Sequence, residues 1–80
     1  MIDSRAAAQY AQNYLESLFD NLRGVQVEEI ELSDEKDFWL ITLGYADNVP
    51  MMIYPVPRSY KLFRVNAETG DVESMKIRKV

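Results

Sequence analysis

Residues 60–77 read YKLFRVNAETGDVESMKI, and they predict two β-strands joined by a turn. In the first half, Phe63 and Val65 alternate with basic residues, which is the two-residue period of a half-buried strand. Between the strands, Asn66 can accept hydrogen bonds from the backbone that follows it, and Gly70 tolerates a positive φ at the end of the loop. The pattern therefore predicts a hairpin, and nothing in it indicates catalysis.

The second strand of this hairpin carries a break in its pattern. Met75 and Ile77 share one face, whereas Val72 has the opposite parity. One extra residue in a strand, a β-bulge, brings both parities onto the same face. We therefore expect a bulge near Glu73 and Ser74.

The N-terminal segment has the period of an amphipathic helix over about residues 4–22. Asp3 or Ser4 is suited to cap its start, and Gly24 is suited to end it in the left-handed conformation. Tyr10 and Phe19 widen the apolar stripe. The stripe itself falls at positions i, i+4, i+7, i+8, i+11 and i+15: Ala7, Ala11, Tyr14, Leu15, Leu18 and Leu22.

Two more strands are predicted at about 25–32 and 38–45. Val25 and Val27 differ in parity from the apolar residues that follow them, so a bulge or twist is expected near Glu28 and Glu29. The strand at 38–45 is apolar on both faces, which is typical of a central strand or of one covered from outside the domain. One side carries Trp39, Ile41, Leu43 and Tyr45, and the other carries Phe38, Leu40 and Thr42.

The order of elements predicts the fold class. One helix precedes four strands, at about 25–32, 38–45, 60–66 and 71–78, and each strand returns beside the previous one. We predict a single α+β domain over residues 1–80, in which the N-terminal helix packs on a four-stranded antiparallel meander, a two-layer arrangement as in cystatin-like folds.

A proline-rich segment at 46–59 interrupts this plan. Pro50, Pro55 and Pro57 oppose a central strand, yet the residues between them are apolar. A loop of this length either lies over an open edge of the core or forms a binding loop or dimer contact. The candidate partner-binding residues are Val49, Met51, Met52, Ile53, Tyr54 and Val56.

The composition limits the chemistry. The chain has no cysteine and no histidine, so it lacks disulfides, thiolate metal ligands and the usual base near neutral pH. No nucleophile or phosphate-binding motif is present, and we expect no enzyme activity, no cofactor and no metal. The acidic run from Glu28 to Asp37 lacks the spacing of a calcium loop and is interpreted as a solvated edge that discourages strand pairing.

The net charge of −4 is divided unevenly. Residues 1–40 carry nine acidic and three basic residues, whereas residues 41–80 carry four acidic and six basic ones. Either the two halves attract each other across the sheet, or the basic part forms a patch for an acidic partner. Basic and aromatic residues do interleave between Arg58 and Lys79, but the negative net charge argues against a nucleic-acid partner. No membrane span or secretion signal is recognised, so the chain reads as cytoplasmic.

Residues Tyr60–Val72 resemble the PepSY pattern, in which a strand leads to an Asp-Ala-x-Thr-Gly-Glu-Val turn after a helix and an earlier strand. Asn66 and Asp71 replace the usual Asp and Glu, and the proline-rich segment departs from the pattern. The resemblance implies a non-catalytic module that binds or restrains another protein, often a peptidase. The hypotheses are, in order, a small protein-binding or inhibitory module, a homo-oligomeric accessory protein, and a weak nucleic-acid binder.

Overall fold

The computed structural model describes residues 1–46 and 57–79. Their elements are α1 (Ser4–Leu18), β1 (Arg23–Leu32), β2 (Phe38–Ala46), β3 (Arg58–Asn66) and β4 (Val72–Ile77). The strands form an antiparallel sheet in the order β1-β2-β3-β4, and α1 packs on one face of it. The predicted α+β arrangement, a helix on a four-stranded antiparallel meander, is confirmed.

The start of α1 is held by a side-chain cap and by the sheet. Asp3 is extended, and its Oδ1 accepts from the Ala6 amide at 2.8 Å, which satisfies one of the free N–H groups of the first turn. The preceding residue, Ile2, donates its N–H to the Ala67 carbonyl at 2.7 Å and accepts from the Trp39 indole at 3.0 Å. The helix therefore begins at a defined position above one end of the sheet.

The end of α1 differs from the prediction. The helix ends at Leu18, one turn before residue 22, and Phe19 is already extended with φ −131° and ψ 135°. Gly24 does have a positive φ, but it lies inside β1 and does not end the helix. Because β1 begins at Arg23, two residues earlier than predicted, the chain must leave the helix sooner, and Asn21 takes a left-handed conformation in the connection.

Both predicted bulges are present, while the strand bounds move by one or two residues. At the predicted places the extra residue is Glu28 in β1 and Glu73 in β4. The register of β1 shifts once more, between Arg23 and Gln26, where the sequence pattern predicts no bulge. β1 and β3 begin two residues earlier than predicted, β2 ends one residue later, and β4 is one residue shorter at each end. The bulges return apolar residues of both parities to the helix side of the sheet, as the sequence pattern requires.

The β3–β4 turn has the predicted chemistry. Asn66 Oδ1 accepts from the amides of Glu68 at 2.8 Å and Thr69 at 3.0 Å. Gly70 has φ +81°, and its N–H donates to the Asn66 carbonyl at 2.8 Å. The Tyr10 ring of α1 packs on this glycine, since a Cβ added to it would lie 2.6 Å from Tyr10 Cε2. The turn therefore joins the hairpin to the helix.

The core is thin and lies between α1 and the two central strands. The Tyr14 ring meets Phe63 edge-on, with centroids 6.3 Å apart. Tyr10, Tyr14 and Leu18 of the predicted stripe remain partly exposed, because the close contact is made by the alanine side of the helix. The residues of this core cluster with no exposed surface are Ala7, Ala11, Leu15, Ile41, Leu43, Phe63 and Val65.

Candidate protein-binding surfaces

The predicted partner-binding residues of the proline-rich segment lie outside the described residues: Val49, Met51, Met52, Ile53, Tyr54 and Val56. The surfaces that the structure does describe belong to the helix, the sheet and the short turns.

The helix is narrower than the sheet that it covers. A helix is about 10 Å wide, whereas four strands span about 14 Å between the outer backbones. On the helix side, the edge strands keep large apolar side chains in solvent: Val27 is 43% exposed, Ile30 42% and Ile77 75%. Val27 and Ile30 lie opposite the buried Leu43 and Ile41, on the same face as the core, but their position on an edge strand leaves them exposed.

β1 is an edge strand of ten residues, and no strand of the described part pairs with its outer side. Glu29 and Glu31 point away from the helix, while Val27 and Ile30 point toward its side. The acidic run thus lies on an exposed edge and in the following turn, as interpreted from the sequence. Within residues 1–46 and 57–79, no three acidic side chains are arranged to hold a metal ion.

On the face of the sheet away from the helix, less apolar surface is exposed to solvent than the sequence pattern of β2 suggests. Phe38, Leu40 and Tyr60 are half-buried, although no second layer covers them among the described residues. The Arg64 guanidinium lies 3.7 Å from the centroid of the Phe38 ring, a cation–π contact. The Tyr60 ring lies over Gly44, its partner across the strands. Long side chains from neighbouring strands therefore cover this apolar surface.

Two ion pairs cross this face and join the acidic β1 to the basic C-terminal half. Arg58 pairs with Glu28 at 3.5 Å and donates to the Gly24 carbonyl at 3.1 Å. Arg78 pairs with Glu29 and donates to Thr42 Oγ1 at 2.6 Å, and this threonine is only 1% exposed. Both ion pairs join the acidic and the basic half of the chain across the sheet, as the first of the two interpretations of the charge division expects.

Where β3 begins and β4 ends, the surface forms an open cleft of about 460 Å³. Within the predicted run of basic and aromatic residues, Phe63 is buried in the core, and Arg64 and Lys76 do not line the cleft. The lining residues are Arg58, Ser59, Tyr60, Lys61, Ile77, Arg78 and Lys79.

The helix that the structure describes runs for 15 residues, which falls short of the length and apolarity of a membrane span. Comparison with protein-family models found no match, and comparisons with curated proteins and with solved structures found no significant match either.

Proposed function

We propose that this chain is a non-catalytic module that binds another protein through the helix-side flank of β1. The observation that carries the proposal is the exposure of Val27 and Ile30 on an edge strand whose outer side pairs with no other strand in residues 1–46 and 57–79. A partner strand that pairs with β1 would extend the sheet, and its own apolar side chains would cover both residues. The resemblance of residues 60–72 to the PepSY pattern implies the same class of function.

The charge of β1 favours a different protein over a second copy of this chain. A twofold dimer brings the same strand from both subunits together, so each β1 would face its own copy. Glu29 and Glu31 would then lie near the same residues of the other subunit, and like charges on neighbouring strands are destabilising. A partner strand with apolar and basic residues avoids this repulsion. Homo-oligomerisation through β1 is therefore the second candidate.

A photo-crosslinking amino acid at position 27, introduced in the native cell, tests the proposal. We expect a discrete crosslink to another protein, and we expect none when the same amino acid replaces Gln9 on the exposed polar side of α1. With the crosslinked protein purified, the double variant Val27→Asn/Ile30→Asn should lose binding, while Gln9→Ala/Asn13→Ala should keep it.

Urea unfolding of both double variants shows whether a lost contact reflects a lost fold. Crosslinks that are the same from positions 27 and 9 would contradict the proposal. A crosslink to the chain's own copy would replace it with homo-oligomerisation.

A further inference from the structure

The cleft between β3 and the end of β4 concentrates positive charge in an acidic protein. Four of the nine basic residues line it, and none of the described acidic residues does. The protein carries 13 acidic residues and a net charge of −4, so its composition alone would not place four cations around one opening. The four are Arg58, Lys61, Arg78 and Lys79.

The cleft arises from a step in the sheet. β4 pairs with β3 from Lys61 to Val65, and one further bond joins the Arg78 amide to the Tyr60 carbonyl at 2.9 Å. The first residues of β3, from Arg58, are paired with β2 but extend past the end of β4. Side chains from both faces of β3 therefore meet around the end of the shorter strand.

The four basic side chains of the cleft differ in whether they already form ion pairs within the protein. Arg58 and Arg78 are engaged with carboxylates of β1, so their positions are held by Glu28 and Glu29. Lys61 and Lys79 have no acidic partner among the described residues. As far as the structure describes the chain, the cleft thus offers two ammonium groups without a carboxylate partner beside two guanidinium groups that already bind carboxylates.

We propose that this cleft binds an acidic, extended segment of a protein partner. Lys61 and Lys79 hold its carboxylates, and Ile77, which is 75% exposed, contacts an apolar side chain next to them. An extended segment suits the site because the outer side of β4 has no strand beside it in the described part of the chain. The inference rests on the proposed function in one respect, that the ligand is a protein. It does not depend on the binding surface of β1, because no residue of β1 lines the cleft.

A peptide fits this cleft better than a nucleic acid does. Single-stranded nucleic acids bind to a series of exposed aromatic faces, but Tyr60 is the one aromatic residue among the described residues that line the cleft, and Phe63 is fully buried. The carboxylates of Glu28 and Glu29 also lie near the cleft, because they are paired with two of the arginines that line it. These carboxylates would repel a continuous phosphate backbone. A short segment with few carboxylates meets less of this repulsion.

Fluorescence anisotropy with a dye-labelled octapeptide that alternates glutamate and valine tests the proposal. An ionic strength near 0.1 M suits the measurement, because a Debye length of about 10 Å screens distant acidic residues but leaves close pairs intact. We expect saturable binding that weakens with added salt. The variant Lys61→Gln/Lys79→Gln should bind about tenfold more weakly, as the loss of two partly exposed ion pairs implies.

Two control variants separate the cleft from overall charge. Arg5→Gln/Lys36→Gln makes the same change in net charge elsewhere, and Lys76→Gln removes a lysine of β4 that does not line the cleft; both should bind as the wild type does. No binding up to millimolar peptide, or equal weakening in all variants, would overturn the proposal. Tighter binding of an octathymidylate than of the peptide would overturn it in favour of a nucleic acid. Either failure leaves the crosslinking result at position 27 unaffected, so the two proposals fail separately.

Discussion

Arg78 and Glu29 form an ion pair although the first follows the last strand and the second belongs to β1, the opposite edge of the sheet. The Arg78 side chain passes over β3 and donates to Thr42 on β2, where Glu29 reaches it from the other side. One side chain thus links both edges of the sheet and donates a hydrogen bond to a buried hydroxyl.

This arrangement predicts that Arg78→Ala destabilises the fold. The loss should be about 1–2 kcal/mol, because the Thr42 hydroxyl loses its partner and an ion pair is removed as well. Glu29→Ala should cost under about 1 kcal/mol, since exposed ion pairs are weak. Urea unfolding of the two variants and of Lys79→Ala measures this, and Lys79→Ala should leave stability unchanged. An Arg78→Ala variant as stable as the Lys79→Ala control would contradict the bridging role.

Gly70 is required for two separate reasons. Its positive φ is strained for any residue with a Cβ, and the Tyr10 ring occupies the space that a Cβ would need. Gly70→Ala should therefore cost about 2–3 kcal/mol, as backbone strain and overpacking together imply. In a Tyr10→Ala background, the same change should cost only the strain, about 1–2 kcal/mol. Thermal or urea unfolding of the four proteins gives the coupling, and an equal cost in both backgrounds would exclude the Tyr10 contact.

Phe63 and Ile77 lie on the same face of neighbouring strands but differ in burial. Phe63 is fully buried under α1, whereas Ile77 is beyond the cover of the helix. Phe63→Ala should cost about 3–5 kcal/mol, while Ile77→Ala should change stability by no more than about 0.5 kcal/mol. Equilibrium unfolding of the isolated protein tests both. A large effect at Ile77 would mean that some part of the chain covers it, and the proposed cleft would then lose its apolar contact.

The cap of α1 rests on one side chain. Asp3→Ala leaves the Ala6 amide without its partner and should cost about 1 kcal/mol, while Asp3→Ser and Asp3→Asn should retain most of the stability because both can cap. Helical circular dichroism with urea unfolding measures the effect. Equal loss in all three variants would indicate that the carboxylate acts through charge and not through the cap.

Much of the fold follows from local patterns in the chain. Alternation identifies the strands because successive side chains of a strand point to opposite faces. Breaks in that alternation predicted the bulges at Glu28 and Glu73, since an apolar side chain can return to the core only if the strand gains a residue. The turn at Asn66 and Gly70 was likewise predicted, because its hydrogen bonds join residues close in sequence.

The tertiary structure decided the features that depend on the width of the helix relative to the sheet and on which side chains come close to each other in space. The helical spacing of apolar residues continues past Leu18, but the helix ends there, because the chain must reach the start of β1 at Arg23. Val27 and Ile30 have a core pattern, yet they remain exposed because one helix cannot cover four strands. The partner of Arg78 and the lining of the cleft depend on distances between segments far apart in sequence. The periodicity of the sequence does not predict such distances, so the candidate binding surfaces can be identified only in the folded chain.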